Sequence, residues 1–512
     1  MRLNSKRRYF KSITKSENLP LLAFLIPLIV RAIPEILMGS YVVGFDTLGH
    51  YVPTTLRWVQ EGVGFWNFMA TAPFLFVPLV GTTQIGIPIT VTLKVMSPVL
   101  LGLLGFAVYI YANKTLSWSP KKSLLVVFFA TLYFVALRIS WDMLRSELAL
   151  IFLFVTLFLL KKDGSSFRTG LLLSLAMLSV VFAHQLVALI MFVIIIVTLI
   201  GFGHNKQIND VYRLAVCSIP AIFLFLVIVY ANFAVFKQFS MVSGWLNQSS
   251  EGFMTLFGFG SYEFLVANTF GFLVFCYLPL LPLVVLGFRR FRSNIQLTSW
   301  VLCVFTALAL ALANIFVAHL PYRWILLLTY PFAFYAAEGF VGLHLSRHRI
   351  GVGLIIAALS VFFIFLPNNI AFPYFAAFPL YMPTSMLQNT LPLSDCQDAA
   401  NALQWAKTNM DSGTRLLVHR AFYGWASLAL NSDQLILYNY DNPEITAQKL
   451  TEDGFHYRLW LIWWVNGSGW YGQLTVSSAF GETIHQNGRI AVFAYNASAY
   501  SITSIQNTTV KA

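Results

Sequence analysis

Long uncharged apolar runs recur along most of this chain, separated by short polar breaks. Residues 123–137, 148–160 and 186–200 contain no charged side chain at all. A helix needs about 20 mostly apolar residues to cross a hydrocarbon layer of about 30 Å. Placing helices on these runs predicts crossings at 20–38, 93–112, 123–139, 145–161, 169–183, 185–202, 211–231, 263–288, 296–317, 323–343 and 349–367. Residues 65–91 are equally apolar but are interrupted by Pro73, Pro78, Gly81, Gly86 and Pro88. They are expected to form an interfacial or re-entrant piece of a large first outer loop, 39–92, where broken backbone is tolerated if protein covers it. A further long outer loop is expected at 232–262.

Beyond Pro367 the pattern changes. Residues 384–512 hold 7 basic and 9 acidic side chains, and their apolar runs are too short to cross. A helix over 395–409 would carry Ala399, Leu403 and Ala406 on one face, and short strand-like runs follow at 415–419, 435–440 and 490–495. The expected architecture is a polytopic α-helical membrane protein of about eleven spans, residues 1–383, followed by a small soluble α/β domain, 384–512.

Composition agrees, with 58% hydrophobic and 10% charged residues, where a soluble domain carries about 25% charge. That excludes a soluble enzyme. The net charge of +13 does not imply nucleic acid, because most basic residues sit in short loops. With the N-terminus cytoplasmic, the basic N-terminal segment and every second loop share one side, as basic residues do on the cytoplasmic face. The chain is thus expected to be multi-pass in the cell membrane, among membrane lipids, with its C-terminal domain extracytoplasmic. Cys217, Cys276, Cys303 and Cys396 are too scattered for a metal cluster. No GxxxxGK[ST] loop is present, which argues against an ATP-driven pump.

Ionisable groups in or beside spans are costly, so their convergence marks a site. Under this topology Asp46, His50, Asp142, Arg145, Glu147, His184, Glu263, His319 and Arg323 all project to one side. Asp46 and His50 are four apart, one helical face if the segment is helical; a carboxylate there can take a proton from an acceptor hydroxyl, or merely cap the following helix. Asp142 and Arg145 are spaced for a salt bridge, and Glu147 needs a partner, for which Arg138 or Arg145 is the candidate. Glu263 opens a span and could orient an acceptor, cap the helix or join Asp46 at a divalent cation. Arg323, in the turn His319-Leu-Pro-Tyr-Arg323, is the expected phosphate ligand, since a guanidinium fits two phosphate oxygens. His184 is either a substrate ligand or a helix-to-helix hydrogen bonder. Together these groups suit a lipid with a phosphate head: Arg323 and Arg145 stabilise charge on a departing phosphate while a carboxylate activates the acceptor.

Gly44-Phe-Asp-Thr-Leu-Gly-His-Tyr51, Trp141 to Glu147, Ser261-Tyr-Glu263 and His319 to Arg323 resemble the GT-C superfamily of membrane glycosyltransferases. The resemblance implies a polyprenyl- or dolichyl-phosphate-linked sugar donor, transfer on the extracytoplasmic face, inversion at the anomeric carbon and Asp46 as the catalytic acid or base. Ala400 to Lys407 and Val418 to Trp425 resemble the C-terminal domain of archaeal members related to oligosaccharyltransferases. Ser-x-Glu263 is similar to the flexible-loop glutamate motif of that branch, which gives Glu263 a catalytic role. That branch binds its peptide with Trp-Trp-Asp-Tyr-Gly, and Trp463-Trp-Val-Asn-Gly467 lacks the Asp, so the aromatic pair is read as domain packing and the acceptor is left open. A divalent cation (Mg or Mn) is a possible cofactor, with Asp46, Asp142, Glu147 and Glu263 as candidate ligands. The competing readings are a transporter or flippase for a lipid-linked or charged solute, and a receptor whose soluble domain binds a partner.

Overall fold

The computed structural model describes residues 17–42, 44–160, 166–236, 262–312, 321–343, 346–365, 389–438, 443–454, 457–466 and 480–495. Helices dominate. In chain order they are α1 (Leu19–Leu37), α2 (Val52–Glu61), α3 (Phe65–Ala70), α4 (Phe76–Gln84), α5 (Ile89–Ile110), α6 (Pro120–Thr131), α7 (Phe134–Asp142), α8 (Leu144–Leu160) and α9 (Phe167–Ala183). They continue with α10 (Gln185–His204), α11 (Ile208–Phe236), α12 (Tyr262–Tyr277), α13 (Leu281–Phe291), α14 (Ile295–Leu312), α15 (Pro321–Leu327), α16 (Thr329–Val341) and α17 (Ser346–Phe365).

Where it is described, each apolar run expected to cross is mainly helical. Among the described residues six helices are long and apolar enough to span by themselves, and eight if α6 with α7 and the end of α12 with α13, bent by 60° and 81°, each count as one. The sequence expectation of eleven is larger because it also counts shorter helices such as α9. The Pro- and Gly-broken stretch 65–91 folds into the short helices α3 and α4 before α5 begins; with 6 and 9 residues neither can cross. Aromatic rings fill the centre of the bundle. Phe154 of α8 meets Tyr111, Trp300, Tyr330 and Phe334 at centroid distances of 5.6, 6.0, 6.4 and 6.0 Å.

The C-terminal unit contains α18 (Leu393–Asn409), β1 (Thr414–His419), α19 (Arg420–Ala429), β2 (Leu435–Tyr438), α20 (Pro443–Glu452), β3 (Arg458–Trp464), β4 (Glu482–Asn487) and β5 (Ile490–Ala494). Its sheet runs β2-β1-β3-β5-β4. β1 is parallel to β2 and β3, whereas β5 is antiparallel to β3 and β4. Ala399, Leu403 and Ala406 are buried on the face of α18, as their spacing predicts. The sequence reading missed β3 because Leu459 to Trp464 is a near-continuous apolar run without alternation, the signature of a strand covered on both faces. Trp463 and Trp464 are buried there, and Trp464 Nε1 donates to Asp395 Oδ2 at 2.8 Å, so the pair does pack the domain.

The sheet unit and the first loop share one apolar core. Leu48, Tyr51 and Val52 cluster with Phe422, Trp425 and Ala426. The end of the bundle that carries the first loop is therefore the end that meets the sheet domain.

Candidate active site

The chain after α1 turns sharply at Gly44, whose φ of +126° lies where side-chain-bearing residues are strained. A Cβ at Gly44 would also lie 2.1 Å from the Trp141 carbonyl oxygen. Asp46 follows two residues on, and Thr47–Tyr51 form one π-helical turn closed by the Val52 N–H on the Thr47 carbonyl. The wider turn inserts one residue relative to an α-helix, and both Asp46 and His50 line the same cavity. Thr47 Oγ1 donates to the Trp141 carbonyl at 3.0 Å, which pins the turn to α7. Asp46 makes no side-chain capping bond. Its Oδ2 instead accepts from Arg323 Nη2 at 3.1 Å, across 277 positions of sequence.

The turn between α7 and α8 departs from expectation. Asp142 pairs with Arg138, one helical turn earlier, and not with Arg145. It also accepts the Asp46 backbone N–H on Oδ1 at 3.2 Å, and its own carbonyl accepts from Tyr51 Oη at 2.8 Å. Arg145 is thereby free to face the cavity, with Nε donating to the Ala183 carbonyl at 3.4 Å. Glu147 corrects a second expectation: it is buried, forms no ion pair with Arg138 or Arg145 among the described residues, and does not line the cavity. Asp142 thus braces the Asp46 backbone, while α8, beginning at Leu144, turns Glu147 into the bundle.

A cavity of about 290 Å³ is lined by Asp46, His50, Tyr51, Met143, Arg145, Ser146, His184 and Arg323. His184 sits in extended backbone at the break between α9 and α10, which aims an imidazole from an otherwise apolar stretch into the site. His50 opens to the cavity, its Nδ1 3.4 Å from Thr54 Oγ1 and its ring edge-on to Phe76. Although His50 is exposed to the cavity, crowding by the surrounding protein and repulsion from Arg145 outweigh the attraction of Asp46, so its pKa is lowered to about 4. The imidazole is therefore neutral near pH 7. Burial likewise raises the Tyr51 phenol, keeping it a hydrogen-bond donor.

Of the nine residues expected from sequence, Asp46, His50, Arg145, His184 and Arg323 meet in the cavity. Asp142 stands behind it, holding the Asp46 backbone. The side chain of Glu263, in the first turn of α12, and the whole of His319 lie outside the described residues, as do most of the loop 232–262 and the junction at 383. Tyr51, Met143 and Ser146 were not singled out by sequence; Tyr51 closes the very motif that contains Asp46, and the π turn is what brings it in. Among the described residues no three His, Cys, Asp or Glu groups converge on a possible metal position. Asp46 and Asp142 face guanidinium groups, Glu147 lies outside the cavity, and the side chain of Glu263, the fourth candidate ligand, is outside the described residues.

No family model matches the chain, and no curated protein does. Solved structures do match its fold. ArnT from Cupriavidus metallidurans bound to undecaprenyl phosphate aligns over 94% of this chain and 98% of its own, with 15% identity and a TM-score of 0.51. The apo form of the same protein aligns over the same shares with 13% identity and a TM-score of 0.53. The apo Archaeoglobus fulgidus oligosaccharyltransferase aligns over 90% of this chain and 70% of its own, with 11% identity and a TM-score of 0.47. A helical bundle with a small sheet domain at one end, matched along nearly the whole length of both chains, gives this protein the fold of ArnT.

Proposed function

We propose that the chain is a membrane glycosyltransferase that moves a sugar from a polyprenyl-phosphate-linked donor to an acceptor on the extracytoplasmic face, with inversion at the anomeric carbon. The observation that carries the reading is the Asp46–Arg323 pair, 3.1 Å apart, facing a cavity that Arg145 also lines. One carboxylate and two guanidinium groups at the edge of an apolar bundle match a reaction between a hydroxyl and a lipid phosphate. The fold shared with an ArnT solved with undecaprenyl phosphate supports the same donor class.

The pair suggests an order of events. While Arg323 holds Asp46, its guanidinium occupies the carboxylate oxygen that would otherwise face the acceptor hydroxyl. A donor phosphate entering the cavity competes for the guanidinium and draws it away. Asp46 then accepts the proton of the acceptor hydroxyl as its oxygen attacks the anomeric carbon. The bond from that carbon to the phosphate oxygen breaks, its electron pair stays on the phosphate, and Arg323 with Arg145 stabilises the added charge. His50 and His184 supply neutral contacts to sugar or acceptor. Glu263 and His319 keep the roles their motifs imply, a second acid and a substrate ligand. The C-terminal domain stands on the extracytoplasmic side under this reading, and the N-terminus on the cytoplasmic side.

The test is sugar transfer by purified protein in detergent, with no sealed compartment, from radiolabelled polyprenyl-phosphate sugars. Transfer by the wild type that disappears in Asp46→Asn, with donor lipid still co-purifying, is the expected result. Full activity of Asp46→Asn would remove Asp46 from the mechanism. Solute or lipid movement in vesicles without any transfer would replace the enzyme with a carrier.

A further inference from the structure

The π turn is gripped from two directions. On the bundle side it rests on the Trp141 carbonyl, through Thr47 and the close approach at Gly44. On the other side α19 of the C-terminal domain presses Gly424 against Leu48, the residue midway between Asp46 and His50. A Cβ built on Gly424 would lie 1.7 Å from the Leu48 carbonyl oxygen and 2.5 Å from its carbon. Gly424 has no positive φ, and a glycine inside a helix weakens it relative to alanine. Close approach is what requires it.

Other contacts fix the same seam. Tyr41 Oη donates to Gln397 Oε1 at 2.6 Å, and its ring packs edge-on against Trp425 at 5.3 Å. Trp425 Nε1 in turn donates to Thr390 Oγ1 at 3.0 Å. Leu48 is fully buried in the core shared with Phe422, Trp425 and Ala426. The turn has no room to yield toward α7 and none toward α19.

We propose that the C-terminal domain is a positioning element of the site, with Gly424 the positioning residue that sets where Asp46 and His50 stand relative to Arg323. Its effect on the reaction rests on the glycosyltransferase reading; its effect on geometry does not. A methyl group at Gly424 must move either α19 or the Leu48 backbone, and a misplacement of about 1 Å costs a reaction on the order of 10²-fold.

The test uses the full chain in detergent, comparing Gly424→Ala with Gly413→Ala, a control in the same domain where a Cβ meets only Asp411 Oδ1 at 3.5 Å. Two quantities are read on folded protein: kcat and donor KM for transfer, and the rate at which diethyl pyrocarbonate modifies His50, by peptide mass spectrometry. Gly424→Ala is expected to lower kcat on the order of 10²-fold with little change in donor KM, and to alter His50 modification severalfold. Gly413→Ala should leave both unchanged. An unaltered His50 rate in folded Gly424→Ala overturns the geometric claim, and an unaltered kcat overturns its consequence for the reaction. If the wild type shows no transfer at all, the function reading fails while the His50 rate still decides the positioning claim. Should Gly424→Ala not fold, Gln397→Ala, which cuts the Tyr41 tie at the same seam, is judged by the same two readouts.

Discussion

Two aspartate–arginine pairs lie side by side in this protein and do opposite things. Arg138 and Asp142 are one helical turn apart on α7, with side chains 5% and 3% exposed. Asp46 and Arg323 come from distant segments and are 31% and 30% exposed, facing the cavity. A sealed pair has no competitor for either charge, so it holds structure in place. An open pair can be separated by any anion that reaches it. The sealed pair also supports the open one, because Asp142 Oδ1 fixes the Asp46 backbone. Chemically identical partners thus acquire different work from burial and sequence separation alone.

The contrast breaks most visibly at Asp46. Asp46→Asn is expected to lower transfer by about 10²–10⁴-fold, the range for losing a general base, with the thermal midpoint in detergent nearly unchanged. A comparable loss of rate without Asp46 involvement would show as unfolding in the same melt. At the sealed pair the outcome should invert. Arg138→Met strands the Asp142 carboxylate in the bundle and is expected to destabilise the fold by about 3–5 kcal/mol, measured by thermal or denaturant unfolding of the purified protein. An Arg138→Met protein as stable as wild type would mean that the two pairs do not differ in kind.

Smaller changes sharpen the comparison. Arg323→Lys keeps the charge but loses the planar fork, and is expected to slow transfer about tenfold, on the order of 1.4 kcal/mol in barrier, chiefly in kcat. The smallest effect concerns pH. His50 takes up its proton near the ordinary value of 6.5 when unfolded and only near 4 when folded. The unfolded chain therefore binds more protons in that window, and stability falls as pH drops from about 6.5 toward 4. His50→Gln should melt with a shallower pH dependence over that range than wild type. The wild-type rate profile between pH 5 and 8 should show no inflection from His50, since the ring stays neutral throughout.

Much of this is legible in the sequence. Hydropathy located the helical segments because the bilayer imposes a length and excludes charge. The cost of placing ionisable groups in or beside spans singled out Asp46, His50, Arg145, His184 and Arg323, which do line one cavity. Pairing was not legible. Asp142 lies three residues from Arg145 and four from Arg138, both compatible with a helix, and only the break between α7 and α8 selects Arg138. Glu147 looked functional for the same reason as Asp46, yet the next helix rotates it into the bundle. β3 escaped notice because a strand buried on both faces lacks the alternation that marks one exposed face.

The sequence by itself determined that this chain fills a membrane with helices, ends in a small α/β unit, and gathers a carboxylate, imidazoles and guanidinium groups at one end of the bundle. Those features follow from local composition and period, which a single strand of residues carries in full. Only the tertiary structure decided which arginine holds which aspartate, that a π turn aims Asp46 and His50 together, and that α19 closes on Leu48 through Gly424. The Asp46–Arg323 pair and the Leu48–Gly424 approach join residues hundreds of positions apart, and the Arg138–Asp142 pair and the π turn, though local, are selected by the packing around them rather than by the identity of neighbours along the chain.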